Sequence, residues 1–323
     1  MFLSRYEKRI IGKEAEESGF IRDTLEKVYR LVDILEYINQ NSLLKNTLAL
    51  KGGTAINLLV FNLPRLSIDI DLDYCKEASR DEMLQEREVI NNDILSYMQT
   101  QGYSLSPKAK NPHSLDSWVF EFINSGGNKD IIKIEINYSM RAHVFPAKEF
   151  DIVTDVLSSS YKVTALMPVE IFGSKINALI NRAAARDLYD VNNMVRFGLF
   201  SNEEYSMLRK CIVFYNAVSS KEVNIEFDLS NIDKITQYKI RTDLKPVLRR
   251  KERFDLELGK KSVKEFIKEL LTTLSSEERE FLQRFANKEY HPELLFHDKD
   301  IVNRLSNHPM AIWKTMNSKS KLF

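Results

Sequence analysis

Two aspartates separated by a single residue are the feature of this sequence with the clearest chemical meaning. Asp69 and Asp71 belong to a stretch, Leu66 to Tyr74, in which apolar and polar residues alternate. This alternation predicts a β-strand, and residues two apart on a strand share a face. Carboxylates that close repel each other unless a cation lies between them, and Mg²⁺ or Mn²⁺ prefers oxygen ligands. The pair therefore predicts a metal site, and the alternative is a solvated strand face, because Asp73 extends the alternation.

A glycine-rich turn precedes this strand. Lys51, Gly52, Gly53 and Thr54 end a short apolar run that predicts a strand, and a short helix is expected to follow. A turn of this kind exposes backbone N–H groups beside a helix N-terminus, which favours phosphate. Thr54 adds a hydroxyl donor and Lys51 a positive charge. An ordinary turn is the alternative, but a phosphate cradle close to a carboxylate pair is typical of phosphoryl chemistry.

A third carboxylate is a candidate for the same site. In the alternating run from Ile131 to Asn137, the side chain of Glu135 shares a face with Lys133 and Asn137. If this strand neighbours the aspartate strand, Glu135 completes the metal site or acts as a base. The alternative is an exposed polar face on an antiparallel strand.

A lysine on an apolar helix stripe is the next candidate. Pro168 suits the first turn of a helix that we predict to extend to about Arg186, and a helical stretch continues or restarts at Asp187. Lys175 lies on or beside the apolar stripe of this helix, where a charge costs free energy unless it is paired or reaches solvent. Its functional alternative is a charge that faces nucleotide phosphates. Asp190 follows Arg186 by four residues, so an intrahelical ion pair is its simplest interpretation.

A cluster of basic residues is the last candidate for a functional site. Seven basic residues occur within fifteen positions, from Lys239 to Arg253, and they include Arg249, Arg250 and Lys251. A solvated surface explains them, but so does a surface that binds the phosphates of an RNA acceptor. We predict that Arg249, Arg250 and Lys251 bind RNA.

The remaining sequence indicates how these residues are positioned. Helices and strands are mixed up to about residue 165, whereas helical periodicity dominates afterwards. The expectation is an α+β fold with two domains, an α+β domain at 1–165 and a mainly helical domain at 166–323. Hydrophobic residues make up 43% of the 323 residues, which is enough to bury a sizeable core.

Charge and cysteine content narrow the class of protein. The net charge of +1 gives no overall polyanion signature, and two cysteines imply neither a disulfide framework nor a zinc cluster. The sequence lacks an apolar segment of signal-peptide or membrane-spanning length. We therefore expect a cytoplasmic enzyme or binding protein.

The motifs in order resemble a known family. Lys51–Thr54 followed by Arg65–Leu72 closely resembles the AbiEii-type, MenT-like nucleotidyltransferase toxins of toxin–antitoxin and abortive-infection systems. Further segments match in sequence order, so that the resemblance covers about residues 20 to 315: Ile132–Glu135, Pro168–Arg182, Arg186–Asp190 and Phe281–Trp313.

The resemblance implies a fold similar to DNA polymerase β-type nucleotidyltransferases, with a mixed sheet and a helical C-terminal domain. Gly53-Thr54 takes the place of the family's Gly-Ser, and Lys175 matches the lysine of its second motif. The later acidic motif matches Asp187 or Asp190. The expected catalytic residues are Asp69, Asp71, Glu135 and Lys175; the metal ligands Asp69, Asp71 and Glu135; and the nucleotide-binding residues Lys51, Gly52, Gly53, Thr54, Lys175, Asp187 and Asp190.

The function implied is that of a toxin in phage defence that transfers a nucleotide from an NTP to an acceptor, with Mg²⁺ or Mn²⁺ as cofactor. The expected acceptor is the 3′ end of a tRNA, and the expected protein partner is a cognate antitoxin. The alternative is a GTP- or NTP-binding toxin module that transfers nothing to RNA. The sequence leaves the identity of the nucleotide and the acceptor open.

Overall fold

The computed structural model describes residues 6–154, 156 and 160–316, which form two compact units. The first, here called the sheet unit, comprises the described residues up to Arg141, within Ala147–Leu166 and in Pro246–Glu252. The second, the helical unit, comprises Ala142–Pro146 and the described residues of the ranges Met167–Lys245 and Arg253 onward. Each unit therefore includes a segment that is distant in sequence from the rest of it.

A seven-stranded mixed sheet forms the centre of the sheet unit, and its strand order is β3-β4-β5-β2-β1-β7-β6. The strand β2 lies between β5, which is parallel to it, and β1, which is antiparallel. The strands are β1 (Leu48–Lys51), β2 (Asp69–Tyr74), β3 (Ser104–Leu105), β4 (Leu115–Ile123), β5 (Lys129–Asn137), β6 (Lys148–Asp151) and β7 (Lys162–Ala165).

Helices of the sheet unit form where the apolar spacing predicts them. Apolar residues recur at helical spacing from Phe20 to Asn39, and the helix α2 (Arg22–Gln40) forms there with Leu25, Leu31 and Leu35 fully buried. The helix over Arg80–Thr100 begins with a capping box at Ser79. The helices are α1 (Lys8–Ser18), α2 (Arg22–Gln40), α3 (Ser42–Thr47), α4 (Gly52–Ala55, continued by a π-helical turn at Ile56–Val60) and α5 (Arg80–Thr100).

The helical unit contains α6 (Pro168–Asn181), α7 (Ala185–Arg196), α8 (Asn202–Ser219), α9 (Ser230–Asp233), α10 (Gln237–Lys239), α11 (Leu256–Thr272), α12 (Ser276–Ala286), α13 (Lys299–Ser306) and α14 (Pro309–Met316). Shorter turns are the π-helical Ile240–Leu244 and the 3₁₀ turns Lys245–Val247 and Pro292–Leu294. The helix α12 begins with a capping box formed by Ser275 and Glu278.

Two boundaries differ from the sequence prediction. The helix from Pro168 ends at Asn181 rather than near Arg186, because Arg182 and Ala184 adopt extended backbone conformations before α7 begins. The strand predicted from Leu66 begins only at Asp69, since the Leu66 N–H donates to the carbonyl of Val247 and not to a neighbouring strand.

The structure confirms the α+β class and the mixed sheet. In the portion of the chain that the structure describes, no helix is long and apolar enough to span a membrane.

Candidate active site

The aspartate strand lies in the middle of the sheet. Asp71 on β2 lies opposite Glu135 on β5 and opposite Lys51 on β1. Residues directly opposite each other on neighbouring strands project to the same face. Lys51, Asp71 and Glu135 therefore form one row across three strands, and Asp69, two residues earlier, shares that face. The conditional prediction that the Glu135 strand neighbours the aspartate strand is confirmed.

Charged partners are present along this row. The Lys133 ammonium lies 2.9 Å from Oε2 of Glu135. The Lys51 ammonium lies 2.5 Å from Oδ1 of Asp73, whose side chain is almost fully buried. The positive charge that the sequence suggested for phosphate binding at Lys51 thus has a carboxylate partner within the sheet.

The three predicted metal ligands, Asp69, Asp71 and Glu135, lie on two neighbouring strands of the sheet. Within the described ranges, no group of three or more His, Cys, Asp or Glu side chains could hold a metal ion. Glu135 is therefore not brought together with Asp69 and Asp71 as a third ligand in this structure. The two aspartates alone still fit Mg²⁺ or Mn²⁺ chemically, because such ions take one or two carboxylates and complete their shell with phosphate and water oxygens.

Gly52 brings the turn against the carboxylate of Asp71. Its φ of +68° lies in the left-handed region, which side chains rarely adopt. A Cβ atom at this position would lie 2.6 Å from Oδ2 of Asp71. Glycine is thus required both by the backbone conformation and by the close approach of the turn to the aspartate strand.

Gly53 makes room for a buried arginine. A Cβ atom on Gly53 would lie 2.6 Å from Nη2 of Arg65 and 3.0 Å from Oγ of Ser67. Arg65 is only 2% exposed, and its Nη1 donates to the carbonyl of Leu66 at 2.9 Å. A guanidinium group therefore lies directly against the turn. Arg65 belongs to a segment that carries the family resemblance but has no predicted role, and its sequence signal is a lone arginine between apolar neighbours.

Thr54 and Asn57 tie the turn to its surroundings. The hydroxyl of Thr54 is fully buried and donates to the backbone carbonyl of Asp69. The side-chain amide of Asn57 donates to the carbonyl of Gly53 at 2.8 Å. The Thr54 hydroxyl, which was expected to face phosphate, thus links the turn to the aspartate strand. The backbone N–H groups of the turn remain the predicted phosphate donors.

Replacing Gly53 by alanine is expected to lower stability by about 1–3 kcal/mol, the usual cost of overpacking. It should also raise the KM for NTP, because Arg65 and the turn must move apart. Chemical denaturation and steady-state kinetics measure the two effects. Gly12→Ala is the matched control: no atom lies within 4 Å of its added Cβ, and in helix α1 alanine should stabilise. A Gly53→Ala variant as stable and active as the wild type would contradict the packing argument.

The helical unit holds the second group of predicted residues. The Lys175 ammonium on α6 lies 3.0 Å from Oδ1 of Asp187 and 3.2 Å from Oδ2 of Asp190, both on α7. These three side chains are 9%, 3% and 1% exposed. The Nε of Arg182 lies 2.8 Å from the other oxygen of Asp187. Lys175 is therefore part of a buried charge network.

The network keeps Asp187 ionised. Burial raises the pKa of this carboxyl, but the charges of Lys175 and Arg182, with their hydrogen bonds, outweigh burial and hold the pKa below its ordinary value. Asp190 pairs with the same lysine, while the Nε of Arg186 donates to the carbonyl of Asp243 at 2.7 Å.

The three basic residues predicted to bind RNA differ in exposure. Arg249 is half-buried; its Nη1 donates to the carbonyl of Ser18 at 2.5 Å and its guanidinium lies 4.5 Å from the ring centre of Phe20. The side chains of Arg250 and Lys251 are exposed. Only these two are thus placed as a solvent-facing pair, and Arg249 contributes to packing.

The mixed sheet presents an Asp-x-Asp pair on a central strand beside a Gly-Gly-Thr turn, an arrangement suited to phosphoryl chemistry with a divalent cation. The family described as nucleotidyl transferase AbiEii toxin, type IV toxin–antitoxin system, matches residues 33–288. This match covers more than half of the sequence, so the chain belongs to the AbiEii nucleotidyltransferase toxin family. The resemblance found in the motifs is confirmed.

The chain is similar in structure to MenT4, a nucleotidyltransferase toxin from Mycobacterium tuberculosis H37Rv. The TM-score is 0.64 at 15% sequence identity, and the similarity covers 93% of this chain and 98% of that chain. At this identity the likeness shows the fold alone. No curated protein sequence matches the chain.

Proposed function

We propose that this protein transfers a nucleotide from an NTP to an acceptor hydroxyl, with the 3′ end of a tRNA as acceptor and Mg²⁺ or Mn²⁺ as cofactor. The observation that carries the proposal is the packing of the Gly52 turn against Asp71. This packing supports the proposal, because a turn whose backbone N–H groups favour phosphate then lies beside a carboxylate pair that favours divalent cations.

Each residue has a defined part in this proposal. Asp69 and Asp71 would hold the divalent ion, which neutralises charge on the triphosphate when it is bound. The acceptor oxygen forms a bond to the α-phosphorus, the bond to the bridging oxygen breaks, and pyrophosphate leaves. Glu135, next to Asp71 in the sheet, is our candidate to accept the proton of the acceptor hydroxyl.

The proposal assigns one joint role to three residues of the buried network, Lys175, Asp187 and Asp190. Their buried network fixes the geometry of the lysine, so an ordered positive charge at Lys175 is the feature predicted to favour the nucleotide. The two aspartates act through that lysine.

The direct test is to incubate the protein with total tRNA and each α-labelled NTP, and to separate the RNA on a denaturing gel. We expect one NTP to give end-labelled RNA with release of pyrophosphate. NTP binding without labelled RNA and without pyrophosphate would contradict the proposal and favour the NTP-binding module. Periodate oxidation of the tRNA 3′ end should abolish labelling, and retained labelling would exclude that end as acceptor.

Neutralising Arg250 and Lys251 together is expected to raise the KM for RNA and leave the KM for NTP unchanged. Each phosphate contact releases counterions, so the double variant should lower the slope of log K against log salt by about 1 to 2. Filter binding at several salt concentrations measures this slope. The matched control is Lys261→Ala with Lys268→Ala, two other exposed lysines, and an equal change of slope in both variants would remove Arg250 and Lys251 from the acceptor site.

The family also implies an antitoxin partner. We propose that expression of the chain alone arrests growth and that its cognate antitoxin relieves the arrest. Growth of cells expressing the wild type or Asp71→Asn without the antitoxin tests the first part, because only the wild type should be toxic.

A further inference from the structure

Three loops of the sheet unit bring basic side chains to one edge of the sheet. The strands β2 and β5 are parallel, so both end at this edge, and β4 begins there because Leu115 lies opposite Asn137. Arg80 follows the end of β2, His113 precedes β4 and Arg141 follows β5. We name these three side chains the edge cluster, and none of them was predicted for the nucleotidyltransferase site.

Contacts and charge both place the members of the edge cluster together. The Nη2 of Arg80 lies 3.4 Å from Nε2 of His113. The Nη1 of Arg141 donates to the backbone carbonyl of Tyr138 at 3.2 Å, and the Arg141 side chain is half-buried. Burial lowers the pKa of Arg141, Tyr74 opposes this shift, and the charge of Arg80 lowers the pKa further. The two guanidinium groups thus lie close enough to repel each other.

A neighbouring ion pair fixes the backbone around the edge cluster. The Nε and Nη2 of Arg87 donate to the two carboxylate oxygens of the fully buried Asp116 at 2.9 and 2.6 Å. The Nη1 of Arg87 donates to the carbonyl of His113 at 2.9 Å, and its guanidinium carbon lies 4.8 Å from the ring centre of Tyr138. Arg87 therefore holds two of the loops in place, while Asp116 balances its charge.

The carboxylates near Arg80 in sequence do not neutralise the edge cluster. Glu82 is used in the capping box at the start of α5, Glu86 forms an ion pair with a lysine, and Asp81 is exposed to solvent. In the part of the chain that the structure describes, no carboxylate forms an ion pair with Arg80 or Arg141. The groups that shift the pKa of Arg141 likewise include no carboxylate. The edge cluster therefore has a net positive charge.

Like charges that the fold holds together favour an oppositely charged group between them. Two guanidinium forks beside an imidazole suit a tetrahedral dianion, because each fork can donate two parallel hydrogen bonds to phosphate oxygens. A carboxylate offers one charge and two oxygens, which one fork already satisfies. The edge cluster therefore matches a phosphate group.

We propose that the edge cluster binds a phosphate group, carried either by an RNA backbone or by a free phosphate compound. The site is separate from the proposed catalytic centre, because the end of β2 at Tyr74 lies about 10 Å along the strand from Asp71. The proposal does not depend on nucleotidyl transfer, since binding at the edge cluster requires neither an NTP nor a reaction.

The test follows the imidazole resonances of His113 by NMR while the full-length protein is titrated with inorganic phosphate at constant pH and ionic strength. The variant His113→Gln identifies these resonances among those of the five histidines. We expect the resonances to shift in a saturable way with phosphate, and acetate to bind at least tenfold more weakly. Resonances that do not move, or equal affinity for phosphate and acetate, would overturn the proposal.

Variants connect the binding to the two guanidinium groups. Arg80→Gln and Arg141→Gln should each weaken phosphate binding at least tenfold, and Arg141→Lys, which keeps the charge but loses the fork, should weaken it less. Arg9→Gln, which removes an exposed arginine on α1, is the matched control and should change nothing. Because Arg80 is exposed, its variant tests the site even if an Arg141 variant fails to fold. Unchanged affinity in Arg80→Gln would place the phosphate elsewhere.

A single-stranded RNA hexamer, titrated against the same resonances, separates the two sources of the phosphate group. Binding at least tenfold tighter than that of inorganic phosphate, and weakened in Arg80→Gln, would identify an RNA backbone as the source. Affinity no tighter than that of inorganic phosphate would identify a free phosphate compound.

Discussion

Asp71→Asn is expected to reduce nucleotidyl transfer by roughly 10³-fold, the scale seen when one preorganised charge interaction is removed from a reacting phosphate or acyl centre. Asp71 is at the middle of the row that links β1, β2 and β5, and Gly52 packs against its carboxylate. Asparagine keeps the shape and removes the charge, so the turn should stay in place while affinity for the divalent ion falls. The same loss is expected for Asp69→Asn.

Single-turnover transfer at saturating NTP measures this effect directly. Glu121→Gln is the matched control, because Glu121 on β4 lies on the same face of the sheet, two strands away from β2. It should transfer at close to the wild-type rate. The melting temperature of Asp71→Asn should stay near that of the wild type, since relief of repulsion with Asp69 offsets lost contacts. A wild-type rate in folded Asp71→Asn would refute the metal-site assignment.

The sequence predicted this part of the site well because strand alternation is a local property. Alternation at Ile70 and Leu72 fixes which side of β2 faces the core, and so it places Asp69 and Asp71 together on the other side. What it does not encode is the register between strands. That Asp71 lies opposite Glu135 and Lys51 depends on non-local pairing.

Other contacts escaped prediction for the same reason. The Thr54 hydroxyl donates to the Asp69 carbonyl, and Arg65 lies against Gly53. These pairs are 12 to 15 positions apart in the sequence, and hydrophobic periodicity does not predict the path of the turn between them. The edge strands β3 and β6 were missed because they are short and largely exposed, so they carry little apolar alternation.

The lysine network shows how structure can reverse an energetic argument. From sequence alone, Lys175→Ala removes a charge from an apolar stripe, which predicts that stability stays intact. In the structure, Asp187 and Asp190 contact that lysine and are almost fully buried. Removing the lysine takes away the positive charge that both buried carboxylates contact. Breaking a buried ion pair in this way lowers stability, whereas removing an isolated buried charge would not.

Lys175→Ala is therefore expected to lower the free energy of unfolding by about 3–5 kcal/mol, the usual cost of breaking a buried ion pair. Because pairing lowers the pKa of Asp187 in the folded protein, the ionised carboxylate stabilises the fold fully above the unfolded pKa of 3.8. This stabilisation is lost as the pH falls towards the lower pKa of the folded state. In Lys175→Ala we expect the opposite pH dependence: lowering the pH should increase the stability of the variant relative to the wild type. Urea unfolding between pH 3 and pH 7 measures both effects, and Arg182→Ala, whose side chain is 65% exposed, should cost much less.

A compensated variant separates stability from nucleotide binding. Lys175→Met with Asp187→Asn and Asp190→Asn removes all three charges together, so stability should largely return. If Lys175 also contacts the nucleotide, this stable variant should still bind NTP more weakly by about 1–3 kcal/mol, the scale of a lost charge-assisted contact. Titration with a non-hydrolysable NTP decides the matter. Wild-type affinity in the stable triple variant would restrict Lys175 to holding α6 and α7 together.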